Sequence, residues 1–259
     1  MDLSTAQLTG WMGQLLWPLF RVAGLLLTMP IIGSAMVPAQ IRLVLALVIT
    51  LIIVPLLPAM PAVEPLSTES LRITLQQILI GGMGGLLLHI YFAIFAMAGQ
   101  MVSLQMGLGM AMMYDPVNGV SIPIIAQIYQ VMATLMFLAI DGHLVVINIL
   151  VSSFTAIPVG MVTADTLDLN TLTLQVGWAL GAALLIALPA ITTMLLVNIA
   201  FGVMNRAAPQ LNVFSLGFPM SMMAGLIVLA VSISGMPGLF TSITEQALAL
   251  LSGMIGSAR

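Results

Sequence analysis

Asp141 and His143 flank Gly142 inside an apolar run that extends from Ile122 to Phe154. An ionisable residue within such a run is a functional candidate by default. A proton relay needs a chain of these groups, and the other candidate inside an apolar segment is His89. Two residues apart on a helix, Asp141 and His143 would point in different directions. Gly142 makes the alternative concrete: a turn or helix end, with both side chains capping backbone. Capping and proton coupling both stay open on the sequence alone.

The remaining inventory argues against catalysis. Serines abound, but no G-x-S-x-G elbow is present. No His, Asp or Glu ligands recur at metal-binding helical spacing. The chain has no cysteine, which excludes disulfides, thiolate metal sites and cysteine nucleophiles. No enzymatic activity, cofactor or metal is therefore expected.

Methionine is more telling, with 22 copies. Met97, Met101, Met106, Met110, Met112 and Met113 crowd one stretch that also holds Gly99, Gly107 and Gly109 and leads into Tyr114-Asp115-Pro116. Unbranched thioethers adapt to irregular or changing surfaces, and the glycines make the stretch pliable. A soft apolar collar around a passage would need these properties, although the same residues would also serve as lipid-facing or core filling. A second stretch, Arg206 to Pro219, reads R-A-A-P-Q-L-N-V-F-S-L-G-F-P. Pro209 cannot continue a helix, and Arg206 suits the carbonyl end of the preceding one. Gln210 and Asn212 can satisfy backbone groups freed by the break, and Phe214, Gly217 and Pro219 follow into the next apolar run. An interfacial turn and an assembly element both fit.

These residues must be positioned by membrane-type helices. Of the 259 residues 61% are hydrophobic and 5% charged, so the solvent is a bilayer or a large apolar assembly. The five basic residues, all arginines, form no cluster for nucleic acid or anionic lipid. The first of them, Arg21, lies inside the first apolar run, which argues for an uncleaved first segment. Six runs long enough for about 30 Å of hydrocarbon cover approximately 11–33, 41–60, 73–98, 122–154, 174–204 and 213–235, with a short amphipathic tail at 238–255. Arg42 and Arg206 would put the loops after segments one and five in the cytoplasm, with the acidic residues at 64, 69, 165 and 168 opposite. Three details resist a plain bundle: Arg21 within segment one, Pro18 just before it, and a fourth run about 50 Å long as one helix. Kinked or broken helices packed on other proteins would explain all three. Gly81 with Gly85, and Gly177 with Gly181, are small-xxx-small pairs for close helix packing, within the chain or between subunits.

Four ordered motifs closely resemble the FliR family, the export-gate component of flagellar type III secretion. They are Leu16-Trp17-Pro18-Leu19-Phe20-Arg21-Val22-Ala23-Gly24 with Val37-Pro38; Gly99-Gln100 through Gln105-Met106-Gly107-Leu108-Gly109 to Asp115-Pro116; Asp141-Gly142-His143 with Ser153-Phe154; and Arg206-Ala207-Ala208-Pro209-Gln210-Leu211-Asn212-Val213-Phe214. The resemblance covers nearly the whole chain and implies one all-α, polytopic export-gate domain of broken helical hairpins. Residues from about 1 to 170 would be FliP-like, and those from about 171 to 259 a FliQ-like hairpin and tail. It further implies assembly with FliP and FliQ into a ring around the export channel, with FlhB associated and FlhA nearby. Unfolded flagellar proteins would be the cargo. The setting would be the inner membrane within the basal body, raised toward the periplasm after assembly. Met106, Gly107, Gly109, Met110, Met112, Met113 and Tyr114 would form the family's pore-plugging loop. Arg21, Asp141, His143 and the Arg206–Pro219 stretch would serve structure and assembly. The equivalent subunit of a virulence injectisome, and an ion-coupled transporter using Asp141 and His143, are the competing readings.

Overall fold

The computed structural model describes residues 5–34, 37–64, 67–108, 112–115, 120–161, 169–207 and 213–256. Its described residues form α1 (Thr5–Thr28), α2 (Ala39–Ile53), α3 (Thr68–Gln105), β1 (Met112–Asp115), β2 (Val120–Pro123), α4 (Ile124–Ala139), α5 (Gly142–Ala156), α6 (Leu169–Ala207) and α7 (Val213–Leu251). The fold is all-α in class, with one short antiparallel hairpin between α3 and α4.

The boundaries follow local chemistry. α1 closes just before Pro30, and α2 opens directly after Pro38 and gives way at Val54-Pro55 to a short 3-10 turn. Ser67 starts α3, its hydroxyl accepting the Ser70 N–H at 3.1 Å, and Glu69 sits in the favourable first turn. Gly107, at φ 75°, ends the turn that follows α3; a left-handed residue after a helix is where glycine costs least. Arg206 occupies the last turn of α6, beside its carbonyl end.

Among the described residues, four helices are long and apolar enough to cross a membrane: Ala39–Leu56, Thr68–Gln105, Leu172–Ala207 and Pro219–Met254. The bent pair α4 and α5 makes five if it counts as one span. This corrects the expectation of six. α1 drops out because Gln14, Pro18 and Arg21 dilute its apolar character. The fourth run is broken, as its length required, with a 67° bend at Ile140-Asp141. The expected separate C-terminal tail is instead continuous with α7, which runs through Pro237 to Leu251 and ends in a π-turn over Ser252–Gly256. A proline removes one backbone hydrogen bond, and the bonds formed along the rest of a 39-residue helix keep it continuous through that loss.

Two compact units interleave along the chain. One comprises residues 1–90, 140–175 and 246–259; the other comprises 91–139 and 176–245. In the first, α1 lies directly on α3. A Cβ added at Gly81 would collide with the Arg21 carbonyl, and one at Gly85 with Thr28 Oγ1. Thr28 Oγ1 also donates to the Gly82 carbonyl at 2.9 Å across this contact. The Gly81/Gly85 pair thus works within the chain. Gly177 and Gly181 face open space. The second unit is centred on rings: Tyr91 packs edge-on against Phe92 and Phe95 at 5.0 and 5.5 Å, and Phe137 and Phe240 complete the cluster. The Tyr91 and Thr244 hydroxyls meet at 2.6 Å within it, so the one polar tip in the cluster is satisfied.

Candidate functional site

Arg21 is fully buried in the first unit, and among the described residues no acid holds it. Its Nε donates to Gln77 Oε1 at 2.7 Å. Nη1 donates to the Ser153 carbonyl at 2.8 Å and to Ser153 Oγ at 3.0 Å, and Nη2 donates to the Ile157 carbonyl at 2.9 Å. The guanidinium also lies 4.1 Å from the centre of the Phe154 ring. Ser153 and Ile157 bracket the carboxyl end of α5, where unpaired carbonyls carry the helix's partial negative charge. The arginine therefore caps a helix that begins 121 residues later in the chain (142 minus 21). Its own chain surrounds it. That corrects the expectation that partner subunits would supply this shell. Gln77 and the α5 terminus were missed from sequence, because backbone carbonyls leave no trace in residue type.

Asp141 and His143 sit at the break between α4 and α5, as expected, but they do not cap it by side chain. Asp141 occupies the N-cap position in the left-handed conformation, φ 56° and ψ 26°, and its side chain makes no capping hydrogen bond. Its carbonyl instead accepts the N–H groups of Leu144 and Val145 at 2.9 and 3.3 Å. The backbone conformation itself explains an aspartate there, since Asp tolerates that region better than most residues. Asp141 is exposed, and His143 is half-buried with Nδ1 lacking a partner. Among the described residues no group of three or more His, Asp or Glu is close enough to share a metal ion.

The expected gate residues divide. Met106 is fully buried at the end of α3, its N–H bonded to the Val102 carbonyl at 3.1 Å. It fills the space above Gly225 of α7, where an added Cβ would come within 2.7 Å of the Met106 methyl. Met106 is thus an anchor, and Gly107 is the turn that releases the chain from it. Gly109 and Met110 lie outside the described residues. Met112, Met113 and Tyr114 lie in β1, paired with Pro123, Ile122 and Ser121 of β2. A hairpin of four residues per strand is marginal by itself, so its order depends on what packs against it. Of the last stretch, Arg206 is exposed in α6, Phe214 and Gly217 are in the first turns of α7, and Pro219 is exposed within α7. Pro209, Gln210 and Asn212 lie outside the described residues.

Residues 12–247 match the family described as bacterial export proteins, family 1. The chain is 37% identical over 230 residues to the flagellar biosynthetic protein FliR of Escherichia coli K12, covering 89% of this chain and 88% of that one. FliR of Pectobacterium carotovorum is 32% identical over 248 residues, covering 96% and 95%. FliR of Aquifex aeolicus is 31% identical over 219 residues, covering 85% and 84%. With this coverage and the four motifs in order, the chain belongs to the FliR family of bacterial export proteins.

Proposed function

We propose that this protein is a structural and gating subunit of the flagellar protein export channel. It assembles in the bacterial inner membrane with FliP-like and FliQ-like subunits, with FlhB and FlhA beside them, and passes unfolded flagellar proteins without chemistry of its own. The division near residue 170 into FliP-like and FliQ-like parts belongs to the same proposal. The relatives' names favour a flagellum over a virulence injectisome. An ion-coupled transporter draws no support from an exposed Asp141.

One observation carries the assembly reading. α6 has 39 residues, about 58 Å of helix. Its exposed large apolar side chains run from Leu174 to Met204, about 45 Å, against about 30 Å of hydrocarbon. Within the chain most of the apolar length of α6 and α7 is left uncovered. An apolar surface that outruns the bilayer needs protein to cover the excess. Expression with and without FliP-like and FliQ-like partners tests this. The expected result is a monodisperse hetero-oligomer with partners and aggregation or proteolysis without them. A monodisperse, protease-resistant monomer of the isolated chain would overturn the proposal.

A further inference from the structure

A cavity of about 230 Å³ opens between α1, α2 and α3 in the first unit. It exceeds the roughly 150 Å³ apolar cavity that stays dry and takes up benzene. Phe20, Ala23, Leu27, Ala46 and Ile78 give it apolar walls, and Arg42 is the one charged residue lining it. Leu27 and Leu43 on its rim are 60% and 62% exposed, so the mouth is accessible from outside the chain. The walls run from Leu27, at the end of α1, back to Phe20, about 10 Å along the helix. Arg42 lies in the first turn of α2, next to the α1–α2 connection.

Arg42 is only partly engaged. Its Nε donates to the Val37 carbonyl at 3.1 Å and Nη1 to the Gly33 carbonyl at 3.5 Å. It is half-buried, and neither α1 nor α2 contains an acidic residue to pair with it. A cation at a helix end with an apolar slot running inward suits one class of molecule: an amphiphile with an anionic head and a hydrocarbon tail. A partner helix, about 10 Å across, is too broad for a slot of this volume.

We propose that this cavity holds the head-proximal part of one acyl chain of an anionic phospholipid, the rest of the chain leaving through the open mouth, with the lipid phosphate beside the Arg42 guanidinium. The site rests on the chain being embedded in a bilayer and not on its role in export. The lipid would cover α2, whose apolar window is only 17% buried within the chain.

The test purifies the intact complex from membranes in mild detergent and counts retained phospholipids by native mass spectrometry. Wild type, Arg42→Gln and the cavity-filling Ala46→Phe are compared, with assembly verified for each. One anionic phospholipid per copy of this chain is expected in wild type. Retention should fall about tenfold or more in Arg42→Gln, the size of one charge-assisted hydrogen bond, and disappear in Ala46→Phe. Re-addition of phosphatidylglycerol vesicles should restore the lipid to stripped wild-type complex, whereas phosphatidylcholine vesicles and excess inorganic phosphate should not replace it. Since the chain has no cysteine, a lone Leu43→Cys at the exposed rim, carrying a photoreactive probe, leaves the cavity open, gives an independent readout and should label lipid. Labelling of a partner subunit instead, or equal anionic-lipid retention in wild type and both assembled variants, would overturn the proposal.

Discussion

At the scale of single residues, two side chains are set by backbone they touch or adopt. Arg21 spends four donor contacts on Gln77, Ser153 and Ile157. Replacing it with methionine leaves buried carbonyls and a buried amide unpaired, a loss of about 3 kcal/mol or more by analogy with other broken buried polar clusters. Arg21→Lys keeps the charge but cannot reproduce the fork. Both variants should lower the thermal midpoint of the purified complex, methionine more than lysine; unchanged midpoints would contradict the network. At Asp141 the left-handed backbone decides. Asn and Gly should be tolerated, while Leu should cost about 1–2 kcal/mol through the Cβ clash. Swimming and complex yield measured for the three variants check this. Motility lost equally in Asn and Leu variants, with assembly intact, would point to proton carriage instead.

At the scale of elements, the glycine pairs make opposite predictions. Ala at Gly81 or Gly85 should drive α1 off α3 and reduce complex recovery, because each Cβ meets backbone or a hydroxyl of α1. Ala at Gly177 or Gly181 meets nothing in the chain and should favour α6 by up to about 1 kcal/mol. Failed assembly in those variants would locate a subunit contact there. Met106 packs against Gly225 of α7, so a seal formed by the residues beyond Gly107, as proposed above, would be anchored there. Deleting 107–113 should make cells leak ions and small solutes while the complex still assembles, because an apolar constriction excludes ions by dewetting. Polar substitutions at Met110, Met112 and Met113 should leak less than the deletion. Membrane conductance, with assembly checked in parallel, decides; an assembled deletion as tight as wild type refutes the gate. Much at this scale was legible beforehand. The positions of the apolar runs and the break at Asp141 follow from composition and length. What was not legible depended on long-range partners. Strand pairing after Gly107 needs a second strand, α7 stays continuous through Pro237 by its length, and Arg21 finds carbonyls that any sequence would offer.

At the scale of the molecule, charge is too scarce to hold subunits together. Thirteen charged side chains (5 basic plus 8 acidic) are scattered along 259 residues, while α2, α6 and α7 leave apolar faces uncovered. Cohesion between subunits should therefore be apolar. High salt, which screens exposed ion pairs and strengthens apolar burial, should leave the complex intact, whereas exchange into a harsher, short-chain detergent should dissociate it. Size-exclusion profiles in the two conditions measure this, and dissociation by salt alone would argue for an ionic interface.

The cap that Arg21 places on α5 also imposes an order on biogenesis. α1 leaves the ribosome long before Ser153 and Ile157 exist, since 132 and 136 residues separate them. At roughly 5–20 residues per second, the arginine waits about 7–26 s for the Ser153 carbonyl that will accept its hydrogen bond. During that interval a bare cation in an apolar helix has no stable home in hydrocarbon. The first helix must therefore stay with the insertion machinery, or at the water interface, until the end of α5 arrives. Since the chain has no cysteine, a Phe20→Cys thiol beside Arg21 should react with a water-soluble reagent in a released chain truncated before residue 140 and be protected in the full-length protein, and equal reactivity in the two would contradict this order.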